Sequence, residues 1–213
     1  PPGAAGPVVA TVYQLQDETD PAHPADGTVV EVRNVVVTAL RGGSFYVAEP
    51  GGGAYSGIYA FKPAAVTIPA VDVGDVVTLR GKYIEYVAST PGSRPLSEIM
   101  LSEVQVVSAG GGAVAPVVVT PEEIAANGAG EAYENCLVTV ENVTVTQVGG
   151  SYARAEGVVD ADKSDEIHIG TLLFDGYTLS VDQQLSSVTG IVDDYAGTYR
   201  LHPRGASDLV PQQ

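Results

Sequence analysis

The chain repeats itself. Val30-Glu31-Val32-Arg33-Asn34-Val35-Val36-Val37-Thr38 aligns without a gap on Val138-Thr139-Val140-Glu141-Asn142-Val143-Thr144-Val145-Thr146, with six identical positions in nine at an offset of 108. The correspondence extends both ways: Pro7-Val8-Val9 and Thr11 match Pro116-Val117-Val118 and Thr120, Gly42-Gly43-Ser44-Phe45 matches Gly149-Gly150-Ser151-Tyr152, and Gly81 with Tyr86 matches Gly190 with Tyr195. The offsets drift by only a residue or two, as happens when short loops differ in length and strands do not. The repeat therefore covers a whole domain, and 213 residues suffice for two domains of about 100 residues, each with its own core. Between the copies, Ser108-Ala109-Gly110-Gly111-Gly112-Ala113 is small and uncharged and reads as a flexible connector. The expected domains are 1–107, of which 1–6 form a tether, and 116–213, with 108–115 as linker.

Each copy opens on a helix-start signature, Thr11 followed by Gln14 and Thr120-Pro121-Glu122-Glu123. The threonine accepts from the amide three residues on, Gln or Glu reaches back, and Pro121 suits a first helical position. One helical turn is expected in each copy. After it come alternating or continuously β-branched runs, which in copy one fall at 28–40, 44–49, 57–61, 76–86 and 96–107 and read as five strands. No stretch offers three turns of apolar residues at helical spacing, so the fold class is all-β.

Five strands in such a length, with a long, bend-prone first strand and a Gly-Gly turn into the second, describe a small closed Greek-key barrel. Val73-Gly74-Asp75-Val76-Val77-Thr78-Leu79-Arg80-Gly81 and Tyr199-Arg200-Leu201-His202-Pro203-Arg204-Gly205-Ala206-Ser207-Asp208-Leu209 resemble the fourth and fifth strands of bacterial exported OB-fold modules. Such modules occur in tandem on surface proteins and beside the catalytic domains of extracellular nucleases. The resemblance covers nearly the whole chain through short motifs. It implies two tandem five-stranded Greek-key OB-like barrels, each with a short N-terminal helical turn. The chain departs from the family at Lys62-Pro63-Ala64-Ala65-Val66-Thr67-Ile68-Pro69-Ala70. Two prolines and β-branched residues predict a loop there, where many OB folds carry a helix.

The charge balance narrows the partners. The chain carries 26 acidic against 10 basic residues, a net charge of -16. Copy one has 6 basic and 11 acidic residues and copy two 4 and 15, or −5 and −11. Nucleic-acid binding draws on Lys and Arg displacing counterions from phosphates, so this surface argues against nucleic acid and for a protein or glycan surface as partner. The single cysteine, Cys136, excludes an intrachain disulfide and reads as a small buried strand residue. No run of 18 apolar residues offers a membrane span. The opening Pro1-Pro2-Gly3-Ala4-Ala5-Gly6-Pro7 looks like a tether behind a removed signal segment. An exported location is expected, periplasmic, outer-membrane-associated or extracellular, in keeping with a lipid anchor ahead of Pro1.

No grouping announces catalysis, and the chain is read as no enzyme. His23, His168 and His202 lie in separate segments without zinc-site spacing, no Gly-x-Ser-x-Gly elbow occurs, and Gly51-Gly52-Gly53 lacks the lysine of a phosphate loop. No cofactor is expected save calcium, for which Asp160, Asp162, Asp165 and Glu166 are the candidate ligands, since hard cations want clustered oxygens. A solvated acidic loop is the plainer reading. OB barrels bind oligonucleotides or oligosaccharides on aromatic and basic residues of the middle strands. In copy one the candidates are Tyr46, Tyr59, Arg80, Lys82 and Tyr83, against the alternative that these tyrosines cap the barrel and pair across strands. The leading expectation is a non-catalytic tandem module, a spacer or a protein- or glycan-binding accessory. The alternative is a single-stranded nucleic-acid binder serving a nuclease domain.

Overall fold

The computed structural model describes residues 6–125, 130–150, 152–157 and 166–212. The chain divides into two compact units, residues 1–87 with 95–114 and residues 88–94 with 115–213. The first contains β1 (Val8–Val9), α1 (Val12–Gln16), β2 (Val29–Arg41), β3 (Ser44–Ala48), β4 (Gly57–Phe61), β5 (Val76–Val87) and β6 (Pro95–Ser108). The second contains β7 (Val117–Val119), β8 (Leu137–Val148), β9 (Tyr152–Gly157), β10 (Ile167–Gly170), β11 (Gln184–Tyr195), β12 (Thr198–His202) and β13 (Leu209–Pro211), with 3-10 turns at Glu122–Ile124, Gly130–Tyr133 and Ala206–Asp208.

Both units are OB barrels by connectivity. In the first, β2-β3-β4-β6-β5 run side by side and β5 returns to β2; β4 and β6 are parallel and the other barrel pairs antiparallel. The second repeats this as β8-β9-β10-β12-β11, closed by β11 on β8, with β10 and β12 parallel. The short strands β1 and β7 run parallel to the starts of β2 and β8. A first strand that pairs with two neighbours along different halves must bend. Asn34 and Asn142, one repeat apart, adopt φ of 57° and 55°, a left-handed conformation that asparagine tolerates better than most residues. Ahead of Asn34, β2 follows β5, and beyond Val36 it follows β3.

Strand alternation fills each barrel. Val30, Val32, Phe45, Val47, Ile58, Leu79, Tyr83 and Ile99 make the first core, and Val12 and Leu15 of α1 are buried with them. Each such side chain contributes about 1.5–3 kcal/mol by leaving water. The expected capping box forms: Thr11 Oγ1 accepts from Gln14 N while Gln14 Oε1 accepts from Thr11 N at 2.9 Å. In the second unit Thr120 N donates to Glu123 Oε2 at 2.8 Å, and the turn behind it buries Ile124. Cys136 is fully buried one residue ahead of β8.

The strands expected from sequence lie within one or two residues of those observed, and residues 62–75 form a loop without helix. One equivalence is displaced. Arg41 pairs with Ser44 across Gly42-Gly43, whereas Gly149 N donates to Tyr152 O at 3.1 Å. The offset of 108 therefore persists, Ser44 corresponds to Tyr152, and Phe45 to Ala153. Because successive strand residues face opposite sides, a one-residue slip changes the face: Phe45 lies in the core, and Tyr152 lies outside. Within the expected linker, Gly110 N donates to Asp75 Oδ1 and Gly112 N to Gly74 O, each at 2.8 Å, which ties these glycines to the first unit.

Candidate ligand-binding faces

OB barrels present ligands to the outer face of their second and third strands, here β3 and β4 or β9 and β10, continued by the parallel fifth strand. In the first unit the central row of that face is Tyr46, Tyr59 and Glu98, paired in register. The rings of Tyr46 and Tyr59 lie 4.9 Å apart, Arg41 donates to Tyr46 Oη at 3.3 Å, and its guanidinium stands 5.3 Å from the Tyr59 centroid. Tyr46 is 1% exposed, Tyr59 8% and Glu98 7%, so the row offers no open platform. Burial pushes the Glu98 carboxyl up to about 7, against the opposing pull of Arg41.

The same register in the second unit brings Arg154, His168 and Arg200 into one row. The ring of Tyr152, partly exposed, stacks on His168 with centroids 4.7 Å apart and planes 19° from parallel. The Arg200 guanidinium lies 4.8 Å from the Tyr152 centroid and 4.3 Å from that of Tyr195; Arg154 lies 5.9 Å from Tyr152. Such contacts are worth about 0.5–2 kcal/mol each. Glu166 Oε1 is 3.2 Å from both Arg154 Nη1 and His168 Nε2. Burial lowers the His168 pKa, the Glu166 carboxylate opposes this, and the Arg154 and Arg200 charges reinforce it. The neutral imidazole then donates from Nε2 to Glu166, leaving Nδ1 as an acceptor.

Three buried nitrogens of this row, Arg154 Nε, His168 Nδ1 and Arg200 Nε, have no hydrogen-bond partner among the described residues. Unmet buried polar groups of this kind cost about 1–3 kcal/mol each. Arg200 also has no carboxylate partner among them. Beside Tyr152 opens a cleft of about 520 Å³, bordered by Gly149, Gly150, Asp175, Tyr177 and Thr178. Its outer wall is anchored: Tyr177 Oη donates to Gly170 O at 3.1 Å, Leu172 N donates to His202 Nδ1 at 3.2 Å, and Leu179 is buried in the core.

The five residues singled out in copy one do not form one groove. Tyr46 and Tyr59 meet, but Tyr83 points into the core, fully buried, its hydroxyl bonded to Glu85 and near Ser97. Arg80 and Lys82 lie on the outside of β5, where Arg80 bonds Glu31 and Glu103. Strand alternation had to separate Tyr83 from Arg80 and Lys82. Of the calcium candidates, Asp160, Asp162 and Asp165 lie outside the described residues, and Glu166 is engaged by Arg154 and His168. Among the described residues no three His, Cys, Asp or Glu side chains gather as a metal site, and no helix is long and apolar enough to cross a membrane. Sequence reasoning missed the second-unit row. The available signal was sparse charge: Arg154 and Arg200 are two of only four basic residues in copy two.

No protein-family model matches the chain, and no curated protein matches it in sequence. Among solved structures it resembles a chain of the crystal structure of the S. pombe Stn1-Ten1 complex, at 10% sequence identity and a TM-score of 0.35, over 50% of this chain and 82% of that one.

Proposed function

We propose that the chain is a non-catalytic tandem OB module of an exported bacterial protein, in which the first barrel is a spacer and the second holds a glycan or protein surface. The observation that carries this reading is the Tyr152 platform, a partly exposed ring stacked on His168 and flanked by Arg154 and Arg200, on the face where OB barrels take ligands. The equivalent row of the first barrel, Tyr46, Tyr59 and Glu98, is buried, which favours a positioning role for that barrel. His168 hydrogen-bonds a carboxylate and, among the described residues, no hydroxyl or thiol, so nothing there activates a nucleophile. The exported setting is supported by the resemblance of the strand motifs to those of exported OB-fold modules.

A glycan array probed with the intact chain and with Tyr152→Ala tests the reading. Wild-type binding that the variant loses supports it. A second reading, single-stranded nucleic acid, draws on the same flanking of an aromatic ring by arginines, and the charge of the second copy opposes it. Binding of a fluorescent oligothymidylate that weakens steeply with salt, with no glycan or protein ligand, would replace the first reading by the second.

A further inference from the structure

We infer that the Tyr152 face of the second barrel is a subsite for a carboxylate-bearing sugar, a uronate or sialate unit within an otherwise sparsely charged oligosaccharide. This rests on the proposed binding role of that face and names its ligand class.

Three observations converge. Arg200 is held between Tyr152 and Tyr195, with centroids 4.8 and 4.3 Å away, and no described carboxylate forms an ion pair with it, Asp193 opposite it on β11 included, in a chain of net charge -16. A planar guanidinium fixed against aromatic rings is suited to a carboxylate, which it meets with two parallel hydrogen bonds. The row beneath is chemically incomplete in a particular pattern. Among the described residues Arg154 Nε and Arg200 Nε are donors without acceptors, and between them His168 Nδ1 is an acceptor without a donor, on a residue 7% exposed. The adjoining cleft, about 520 Å³, adds an aromatic wall in Tyr152, a hydroxyl in Thr178 and a carboxylate acceptor in Asp175. Sugar rings need this combination, an apolar face to stack on and a rim that exchanges hydrogen bonds with hydroxyls.

The charge of the barrel selects among anions. A nucleic-acid strand brings a charge with every nucleotide and meets the repulsion of an acid-rich surface along its length. One carboxylate set over Arg200 feels mainly the nearest charges, because exposed charges beyond about 8–10 Å are largely screened at physiological salt. Glu166 lies within the row but already bridges Arg154 and His168, and Asp193, opposite Arg200 on β11, forms no ion pair with it, so among the described residues Arg200 is the cation of this row left for a ligand.

The test uses three acidic probes, a xylotriose bearing a single glucuronate, a hyaluronan tetrasaccharide and 3′-sialyllactose, each beside its carboxyl methyl ester, titrated into the full chain by NMR and calorimetry at pH 7. At least one acid is expected to bind, with shifts confined to β9, β10, β12 and residues 171–179, and its ester at least tenfold more weakly. Arg200→Ala should weaken the acid at least tenfold, Arg200→Lys should recover part of the loss, and Tyr152→Ala should weaken acid and ester alike. Melting curves of the variants establish that they fold, and the wild-type acid-to-ester ratio needs no variant. The inference is overturned if esters bind as tightly as acids, if Arg200→Ala changes nothing, or if none of the acids binds. Neutral glycans captured in a Tyr152-dependent way would then leave the binding-module reading standing, while oligothymidylate as the sole ligand would remove both.

Discussion

Gly81 of β5 and Gly190 of β11 hold the same position in the two barrels. A Cβ on Gly81 would lie 2.4 Å from the carbonyl oxygen of Met100, and one on Gly190 would lie 2.4 Å from that of His202. Each glycine also pairs with the first strand, at Val30 or Val138. Three backbones meet there, and the clash is with a main-chain atom that cannot rotate away. Overpacking a core costs about 1–3 kcal/mol, and Gly81→Ala or Gly190→Ala should reach the upper end. At about 4–8 °C per kcal/mol for a domain of this size, calorimetry should show a fall in melting temperature of 10 °C or more for each. An unchanged value would mean that the strands are not so closely joined.

Glu98 gives the first barrel a pH dependence of definite sign. Its pKa rises from 4.5 to about 7 on folding, chiefly through burial. Between those values the folded chain keeps a proton that the unfolded chain releases, so stability declines as pH rises from 4.5 to 7 and levels off above. Glu98→Gln removes this slope. Thermal melts should show the variant equal to wild type near pH 4.5 and more stable at pH 8. A variant less stable at pH 8 would mean that attraction to Arg41 outweighs the cost of burial.

What the sequence disclosed follows the reach of the interactions involved. Strand positions and the capping threonines depend on near neighbours, and they were legible. Tyr83 was legible too: Arg80 and Lys82 on the outside oblige residue 83 to face in, and grouping all three set aside the two-residue period. The Tyr152 position depends on where the β8–β9 turn places its extra residue, and two Gly-Gly pairs in similar settings concealed a slip of one. The row of Arg154, His168 and Arg200 was not legible, because it exists only once the barrel closes and β12 lies beside β10. Nothing local to any of the three residues anticipates that pairing.

Arg80 now belongs to the stability of the barrel. Glu31, buried on β2, accepts from both Arg80 and Arg33, and Arg80 also pairs with Glu103 at 3.1 Å. The Arg80 hydrogen bond is the largest cause holding the Glu31 carboxyl below its ordinary pKa, followed by that of Arg33. A carboxyl lowered in this way stabilises the fold above its unfolded pKa, and the contribution is lost as pH falls through the folded one. Arg80→Ala should therefore lower the melting temperature at pH 7, by an amount that shrinks on acidification below about pH 4. Arg80→Lys should restore only part, since an ammonium does not reproduce the guanidinium geometry. A loss independent of pH would assign the role of Arg80 to packing of its stem.

Asp75 decides whether the glycines after β6 are held. Its Oδ1 accepts from Gly110 N at 2.8 Å and its Oδ2 from Asp72 N at 2.9 Å, and these two backbone bonds keep its carboxyl below the ordinary range. A flexible glycine run gains little from ordering itself, so an anchor of this kind is needed to offset the lost chain entropy. Asp75→Ala should raise amide exchange at Gly110 and Gly112 at least tenfold and open residues 109–113 to elastase, which favours small side chains. Asp75→Asn, retaining one acceptor, should fall between. In the wild type the protection of these amides, taken relative to their intrinsic exchange rates, should fall only on acidification below the usual aspartate pKa, where the carboxylate takes up its proton. Exchange at Gly110 and Gly112 that ignores Asp75→Ala would mean that the Gly112 bond to Gly74 holds the segment alone.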